Sequence, residues 1–469
     1  MALNNVAIIG AGPAGLGCAY ELVKAGQSCF VIDKQDVAGG LCRTVNFHGY
    51  LFDIGGHRFL SKSKEINQLW HEVIGEDFLA VERLSRIRYR KRYFNYPLSL
   101  FNTVWNLGPL ESAICFASYC RANVLRVEDD STFEGWVVNR FGRRLFEIFF
   151  KTYTEKIWAV APKDISADWA KQRIRGLSLR VAIQKAIFGS RKNTPKTLSD
   201  RFLYPKSGVG EFYQRLKDLA ALDGAQFIFR ENVTRIRHDN YRISALIRRD
   251  CQAKVETEMP VEYLFSSMPL PLLVQALEPL PPENVLAASR NLCFRSFLVV
   301  NIILEKENIF PDQWLYVHSP EVRLGRIQNY KNWSAAMVAD QKKTSLGLEY
   351  FCDENDSLWN MNDVDLIDYA LSELEKIGIT SRRYLISGFV LRCPNAYPVY
   401  SLDYKDNVNI IRDYLNKFSN LQTIGRSGLF HYDNSDHAIL TGIYAARNLL
   451  KKASYDVWEV NTGEEYLES

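Results

Sequence analysis

The chain has few of the features that mark secreted, membrane-spanning or nucleic-acid-binding proteins. Its nine cysteines form no CxxC pair and no regular framework. From the first residues we expect no signal peptide. We therefore expect a cytoplasmic protein with cysteines in its core, and no metal centre. No uncharged apolar stretch reaches the length of a membrane span. A net charge of +4 is too weak to indicate a nucleic-acid partner.

What the chain does have is the length and composition of a folded, multi-lobed protein. At 469 residues it is too long for one small domain, so we expect two or three lobes that share a large core. The hydrophobic fraction of 47% is ordinary for a globular protein, and no internal repeat or low-complexity tract occurs. The function must therefore be sought in local motifs.

The first motif is a glycine fingerprint between two predicted strands. Residues 6–10 form a short apolar run that leads into Gly10-Ala11-Gly12-Pro13-Ala14-Gly15, then an apolar helix, then a second strand ending at Asp33 and Lys34. The glycines allow a tight turn, a close approach to a pyrophosphate and close helix–strand packing. The helix N-terminus favours phosphate, and the Asp33 carboxylate suits a ribose diol. The segment predicts a dinucleotide site.

Two further glycine pairs narrow the kind of dinucleotide. Gly39 and Gly40, followed by Leu41 and Arg43, would bring a second piece of backbone to the cofactor, which nicotinamide-only domains do not usually need. Gly55-Gly56-His57 then places a titratable ring beside glycines. His57 could be a structural histidine, but we favour a position facing a flavin.

The far end of the chain repeats this kind of signal. Gly425-Arg426 leads through Tyr432 to Asp436 and Ala438, where the last helix is predicted. A helix N-terminus here could stabilise negative charge on a reduced flavin, with Asp436 as a ribityl contact or as the helix cap. Val233, next to a predicted strand, completes the expected cofactor set. These signals together predict FAD.

The order of these motifs resembles the FAD-binding fold of amine oxidases, protoporphyrinogen oxidases and UDP-galactopyranose mutases. The middle of the chain is most similar to the mutases. The segment from Tyr153 to Trp158 resembles their YTxKxW stretch, and Arg173 follows at the interval of a diphosphate arginine. Arg326 begins a segment similar to their RIxxxKxF stretch, which carries the second such arginine. Tyr397 and Tyr432 keep the same order.

The resemblance implies a flavin-dependent isomerase of a nucleoside diphosphate sugar. N5 of the reduced flavin would attack the anomeric carbon and displace the nucleoside diphosphate. The flavin-bound sugar would open, reclose through another hydroxyl as a furanose, and recapture the diphosphate as the bond to N5 breaks. Arg173 and Arg326 would hold the diphosphate. Tyr153 and Trp158 would stack on the base, Tyr397 and Tyr432 would contact the diphosphate or the sugar, and His57 would orient the flavin or relay a proton. A reductant such as NAD(P)H and an oligomeric state are compatible with this function.

The expected fold class is α/β, with a Rossmann-like FAD-binding domain of the glutathione-reductase type, a mixed β-sheet substrate domain and a helical insertion. We expect the FAD-binding domain to be assembled from three parts, the helical insertion to lie on the substrate side, and the mixed sheet to follow the second part. In numbers, the FAD-binding parts are 1–80, 206–265 and 401–469, the insertion is 81–205, and the mixed-sheet domain is 266–400.

Two other functions remain open on the sequence. One is an FAD-dependent oxidoreductase of the amine oxidase or protoporphyrinogen oxidase kind, which would need no diphosphate clamp at Arg173 and Arg326. The other is a non-catalytic binding protein on the same fold, as Rab GDP-dissociation inhibitors are. The flavin signals at both ends of the chain argue against the latter.

Two segments outside these motifs also carry expectations. The basic run 83–94 suggests nucleic acid or membrane at first sight, but its alternation of charged and apolar residues from Arg86 to Arg90 favours a strand with one solvated face. The stretch 107–119 is mostly apolar but short, and we expect a buried helix there.

Overall fold

The computed structural model describes residues 3–126, 129–174 and 201–461, except for the side chains of 172–174. The strands are β1 (Val6–Ile9), β2 (Cys29–Asp33), β3 (Thr44–Phe47), β4 (Tyr50–Asp53), β5 (Phe78–Glu82), β6 (Ser85–Tyr89), β7 (Arg92–Asn95), β8 (Arg201–Pro205), β9 (Ala225–Phe229), β10 (Glu231–Asp239), β11 (Arg242–Asp250), β12 (Glu256–Pro260), β13 (Tyr263–Ser266), β14 (Leu277–Glu278), β15 (Phe294–Leu304), β16 (Trp314–Val317), β17 (Arg326–Asn329), β18 (Thr344–Cys352), β19 (Leu385–Pro398) and β20 (Leu421–Thr423).

The α-helices of the described ranges alternate with these strands. They are α1 (Pro13–Lys24), α2 (Lys64–Ile74), α3 (Leu100–Leu107), α4 (Pro109–Val124), α5 (Phe133–Phe141), α6 (Arg143–Leu145), α7 (Thr152–Trp158), α8 (Ala167–Ile174), α9 (Gly210–Leu222), α10 (Leu270–Ala276), α11 (Glu283–Asn291), α12 (Tyr330–Trp333), α13 (Ser357–Asn360), α14 (Asp363–Lys376), α15 (Tyr404–Leu415), α16 (Gly425–Gly428) and α17 (Ser435–Leu449). Short 3-10 turns and a π-helical turn (Phe146–Lys151) join some of them.

A five-stranded parallel sheet gathers strands from distant parts of the chain, in the order β20-β13-β1-β2-β9. Its strands are short and apolar, as expected for a parallel sheet covered on both faces. On one side α1 packs against α17 with almost no side chain between them. A Cβ added at Gly442 would lie 2.0 Å from the Ala14 carbonyl oxygen, so glycine is required for this contact.

A seven-stranded mixed sheet, in the order β19-β15-β18-β17-β16-β6-β7, forms the other large layer. Its centre is apolar on both faces. Leu298 and Val300 of β15 point into one hydrophobic cluster, while Phe297 and Val299 point into another. This alternation follows from the two-residue period of a strand. By the same period, only every second side chain of β17 and β18 can face the space between the two large sheets.

Two expectations from the sequence are wrong in the structure. The basic run does form strands β6 and β7, but its face is not solvated: Arg88 is buried and donates to the Ile377 carbonyl at 2.8 Å, and Arg86 pairs with the buried Asp312. The apolar stretch 107–119 does form a helix, α4, but Leu110 and Phe116 are exposed. Tertiary contacts, not local pattern, decided both outcomes. Within the described ranges, no helix has the length and apolar character needed to cross a membrane.

Candidate active site

A cleft of about 590 Å³ lies at the carboxyl ends of β1, β2, β13 and β20, where it meets the seven-stranded sheet. Ligands of open α/β sheets bind at this edge, because the loops that follow the strands converge there. The first sheet contributes the glycine turn, and the second contributes polar and aromatic side chains from β16, β17 and β19.

The glycine turn has the geometry that the sequence predicts. A Cβ at Gly15 would lie 1.8 Å from the carbonyl oxygen of Gly10, so helix α1 can approach β1 only with glycine there. Gly40, with φ at +56°, brings its backbone against Gly12, where an added Cβ would be 3.2 Å from the Gly12 Cα. Among the described residues no side chain caps α1, which leaves its N-terminal N–H groups for an anion.

Asp33 organises the adjacent end of the cleft. Its carboxylate accepts hydrogen bonds from the backbone N–H of Ala11 at 2.7 Å and from that of Gln35 at 2.8 Å. These bonds tie the end of β2 to the glycine turn. Each carboxylate oxygen has a further lone pair, so contact with a ribose remains compatible with this arrangement.

The last helix closes the other end of the cleft. Its cap is Asn434, which forms a capping box with His437, and not Asp436 as one interpretation of the sequence had it. Asp436 is 3% exposed, lines the cleft, and its Oδ1 has no hydrogen-bond partner in the described part of the chain. A buried carboxylate oxygen without a donor is costly, so this atom suits a hydroxyl or N–H donor on a ligand.

Most of the predicted cofactor residues line this one cleft. Gly15 and Gly39 do not line it, but both shape the turns that do. The predicted cofactor residues among its lining residues are Gly10, Gly12, Ala14, Asp33, Lys34, Gly40, Leu41, Arg43, Gly56, His57, Val233, Gly425, Arg426, Asp436 and Ala438.

His57 lies in the cleft as a neutral imidazole. Burial, with the nearby positive charges of Arg426 and Arg326, lowers the pKa of His57 to about 4. Its Nδ1 is buried and has no partner within the described residues. At neutral pH the ring can therefore donate or accept one hydrogen bond but does not carry a charge, which favours orientation of a ligand over transport of a proton.

Arg326 is held by a buried carboxylate. Its Nε donates to Glu349 Oε2 at 2.8 Å and its Nη2 donates to the Tyr397 hydroxyl at 3.0 Å. Glu349 is fully buried, and its second oxygen accepts from Gln328 at 2.8 Å. The planar guanidinium is thus fixed on one edge, and its Nη1 makes no hydrogen bond with any described residue.

A second guanidinium lies on two tyrosine rings. The Arg426 guanidinium carbon is 4.3 Å from the ring centre of Tyr397 and 4.7 Å from that of Tyr432. Its Nε and Nη2 are buried, with no hydrogen-bond partner in the described ranges. Donors of a buried cation need acceptors, so the site is built for an anionic or carbonyl-bearing ligand.

The aromatic residues divide into lining and supporting groups. Tyr153 lines the cleft and stacks on His318, with ring centres 4.4 Å apart. Trp158, the other expected stacking residue, is buried behind the cleft and meets Tyr397 and Tyr432 edge-on at 6.4 and 6.0 Å. It supports the tyrosines and does not line the cleft. Arg173 lies near the end of α8, and its side chain is outside the described residues.

Several lining residues were missed by the sequence reasoning. Trp314, Tyr316 and His318 line the cleft from β16 and its end, while Leu315 and Val317 between them pack into a hydrophobic cluster. This period-two alternation was available in the sequence. Arg83 also lines this end, and no local signal pointed to it. Tyr96 lines it too, in agreement with the expectation from the sequence that residues 94–97, which follow the basic run, could line the substrate cleft.

The cleft fits FAD. The free N-terminus of α1 and the Gly12–Gly40 contact suit a pyrophosphate. Asp33 and Val233 bound one end of the cleft, which suits the adenosine. At the other end, His57 and Asp436 each present a buried polar atom without a hydrogen-bond partner in the described part of the chain, which suits the flavin and its ribityl chain.

Comparison with known proteins agrees with this geometry. Residues 8–73 match the family model of the NAD(P)-binding Rossmann-like domain. The chain is 24% identical over 266 residues to a 1-hydroxycarotenoid 3,4-desaturase of Flavobacterium sp. (strain P99-3), which covers 52% of this chain and 53% of that protein. It is 27% identical over 183 residues to a probable UDP-galactopyranose mutase of Klebsiella pneumoniae, which covers 36% of this chain and 44% of that protein. These matches span about half of each relative.

Solved structures extend the likeness to the whole chain. A reduced UDP-galactopyranose mutase superposes with a TM-score of 0.85 at 21% identity, covering 98% of this chain and 96% of that one. A putative protoporphyrinogen oxidase from Exiguobacterium sp. 255-15 gives 0.73 at 16% identity, covering 97% and 100%. The predicted fold class is confirmed: the chain has an α/β fold with a Rossmann-like dinucleotide-binding domain, like these structures, and the predicted cofactor FAD fits its cleft.

Proposed function

We propose that the protein is an FAD-dependent isomerase of a nucleoside diphosphate sugar, of the pyranose–furanose mutase kind. The observation that carries the proposal is the arrangement of two guanidiniums, Arg326 and Arg426, around Tyr397 and Tyr432 in the cleft. A diphosphate carries about two negative charges at neutral pH and accepts several hydrogen bonds, which such a group supplies.

The chain's own residues provide binding and orientation in this proposal. Glu349 fixes Arg326 so that its free edge meets the diphosphate, and the Tyr397 hydroxyl, already bonded to Arg326, is aimed at the same place. Neutral His57 orients the cofactor through a hydrogen bond, and Tyr153 offers a face for the base. Reduced FAD, when bound, supplies the nucleophile that the isomerisation needs. Arg173 as a second clamp stays a prediction.

The likenesses support this proposal without deciding it alone. The superposition on the mutase structure covers nearly the whole of both chains. The probable mutase of Klebsiella pneumoniae is similar to this chain in sequence over 183 residues. The substrate of the present chain is therefore proposed from the same class, a sugar linked to a nucleoside diphosphate. An external reductant such as NAD(P)H would keep the cofactor in the active, reduced form.

A second candidate is an FAD-dependent oxidoreductase with an organic donor. One end of the cleft favours it, because Ile87, Leu98, Phe149 and Phe150 give that end an apolar lining. Such a surface would hold an apolar substrate by burial alone. The sequence similarity to the 1-hydroxycarotenoid 3,4-desaturase also supports this second candidate.

One experiment separates the two candidates. The purified protein, reduced with dithionite or left oxidised, is incubated with a panel of UDP-, dTDP- and GDP-sugars, and the products are followed by NMR. We expect isomerisation of at least one sugar by the reduced form and none by the oxidised form. Absence of any conversion, together with reduction of the flavin by an amine or another organic donor, would establish the oxidoreductase instead.

A further inference from the structure

Helices α3 and α4 expose an apolar surface that lies outside the proposed active site. Trp105 is 87% exposed and Phe101 76% exposed on α3, and Leu110, Phe116 and Val124 are 76%, 58% and 81% exposed on α4. We call these five side chains the apolar face. Single exposed apolar residues are common. Five large ones on two consecutive helices indicate a surface that a membrane or another molecule covers.

Positive charge predominates around the apolar face. Residues 86–126 contain seven arginines and lysines and a single acidic residue, Glu111. Arg86 and Arg88 are held inside the protein and Arg126 lies 4.0 Å from Asp130, so the excess is carried by Arg90, Lys91, Arg92 and Arg121. That carboxylate accepts from Arg144 Nη2 at 3.1 Å, so its charge is already met within the protein. The exposed Arg90, Lys91 and Arg92 form the β6–β7 hairpin tip.

The basic tip is held beside the apolar face. Arg92 donates to the carbonyl of Asn106 in α3, and the Asn106 side chain donates to the Tyr93 carbonyl at 3.2 Å. Strand β7 and helix α3 are therefore joined by two hydrogen bonds, one donated by each element. The positive charges and the exposed rings belong to one surface and cannot move apart independently.

We propose that this surface docks the protein on an anionic lipid membrane. One tryptophan, two phenylalanines and two aliphatic side chains enter the boundary between headgroups and acyl chains, while the basic tip contacts the phosphates. Helix α4, with 16 residues, is about 24 Å long, shorter than the hydrocarbon core, so it lies along the interface.

A second copy of this chain fits the surface less well. A two-fold contact places the same patch on both partners. Arg90, Lys91, Arg92 and Arg121 of one copy would then meet a partner surface with the same excess of positive charge, because Glu111 is already paired. An anionic bilayer complements both the charge and the apolar side chains.

The docking surface backs onto the apolar end of the cleft. The hydrophobic cluster beneath the helices contains Cys115 of α4, and Leu107 of α3 packs against it. Ile87 and Phe149 of the same cluster, and Leu98 packed against it, line the cleft. Docking would therefore bring the apolar end of the cleft close to the membrane. The proposal itself depends on the surface alone and holds for either candidate activity.

The test is flotation of the FAD-loaded full chain with lipid vesicles. We expect binding to vesicles of phosphatidylglycerol and phosphatidylcholine, weaker binding in high salt because the charges are screened, and little binding to phosphatidylcholine alone. Phe101→Ser with Trp105→Ser should weaken binding on the order of tenfold or more. Arg90→Glu with Lys91→Glu should weaken it by more than about fivefold per residue.

The control variants change residues that are as exposed as those of the proposed docking surface but lie elsewhere on the protein. Leu222→Ser with Val364→Ser removes apolar side chains that are 83% and 76% exposed on other helices, and Arg249→Glu with Lys342→Glu reverses exposed charges elsewhere. These variants should bind vesicles like the wild type. Flavin content and unfolding transitions identify any variant that has not folded.

Three results would overturn the proposal. The first is no binding of the wild type to anionic vesicles at low salt. The second is equal binding by the apolar-face variants and the wild type. The third is a wild-type dimer in light scattering that Trp105→Ser converts to monomers, since a second copy would then cover the surface. None of these depends on whether a sugar is isomerised.

Discussion

At the scale of single residues, the buried pair Arg326–Glu349 is the feature on which the proposed diphosphate site depends. The pair is valuable for its geometry and not for its stability, since two charges removed from water gain little net free energy from their attraction. Glu349 has no solvent exposure and meets only Arg326 and Gln328 among its described hydrogen-bond partners. Its role is to hold one guanidinium in a fixed plane.

Arg326→Lys should raise KM or lower kcat on the order of 100-fold, which corresponds to about 2–3 kcal/mol. A lysine cannot bond Glu349 and Tyr397 at once and also present an edge to a diphosphate. Steady-state kinetics with the sugar that the NMR panel identifies would measure the change, with flavin content as a check on folding.

Arg323→Lys is the matched control, because Arg323 pairs with Asp356 while 44% exposed. An exposed pair contributes about 0–1 kcal/mol, so kinetics should not change. If Arg326→Lys had wild-type kinetics, Arg326 would be excluded from substrate binding.

His318 makes the stability of the protein depend on pH. Burial, with a smaller effect of Lys156, lowers the pKa of His318 to about 3. The unfolded chain binds a proton near pH 6.5 and the folded chain does not, so this contribution to stability is present above pH 6.5 and is lost as the pH falls. Asp53 acts in the opposite direction, because burial raises its pKa to about 6.

Comparison with His318→Gln isolates this effect from that of Asp53. The free energy of unfolding of the wild type, minus that of the variant, should fall by about 2 kcal/mol between neutral pH and pH 5. Urea unfolding at several pH values measures the difference. A difference that does not change with pH would mean that His318 is protonated in the folded protein.

At the scale of elements, the start of α17 combines two tasks on neighbouring residues. Asn434 caps the helix, and Asp436 in its first turn presents to the cleft an Oδ1 that has no hydrogen-bond partner among the described residues. From the sequence alone, capping and cofactor contact were compatible roles for Asp436. The structure separates them, since the capping box uses Asn434 and His437.

Asp436→Ala should weaken FAD binding by about 1–3 kcal/mol, the loss of one hydrogen bond to a charged acceptor. Asn434→Ala should instead lower the stability of the protein by about 1 kcal/mol while FAD is retained. Flavin absorbance after gel filtration and urea unfolding measure the two effects. Equal loss of FAD from both variants would indicate a damaged helix and not a lost ligand.

At the scale of the whole molecule, the cofactor site depends on segments that are far apart in the chain. The turn after β1, the strand β10 and the start of α17 all line the cleft. A ligand that contacts all three binds only the folded chain. FAD should therefore stabilise the entire protein and not one lobe.

Removal of FAD should lower the unfolding temperature, and free FAD at 100 times its Kd should restore about 2.7 kcal/mol. Thermal unfolding of the flavin-free protein across an FAD titration measures this. FMN, which lacks the adenylate half, should give little stabilisation at the same concentration. Equal stabilisation by FMN would mean that the α1 and Asp33 region does not hold the adenylate.

The sequence by itself determined the parts whose causes are local. A glycine turn between strand and helix constrains its own backbone, so Gly10, Gly12 and Gly15 could be assigned before the structure was known. The strand that ends at Asp33, β2, was equally accessible, because a short apolar run that follows a glycine turn and a helix has few other uses. The predicted domain boundaries stay predictions.

Only the tertiary structure decided what depends on partners distant in sequence. It placed Glu349 against Arg326, stacked Arg426 on two tyrosines, buried Arg88 and left α4 exposed. Each of these outcomes depends on which elements pack together. The residues next to a charged or apolar side chain in the sequence do not indicate which distant residue it will contact. The physical reason is that burial and pairing are properties of the packed molecule, whereas turns and periodicity are properties of the chain.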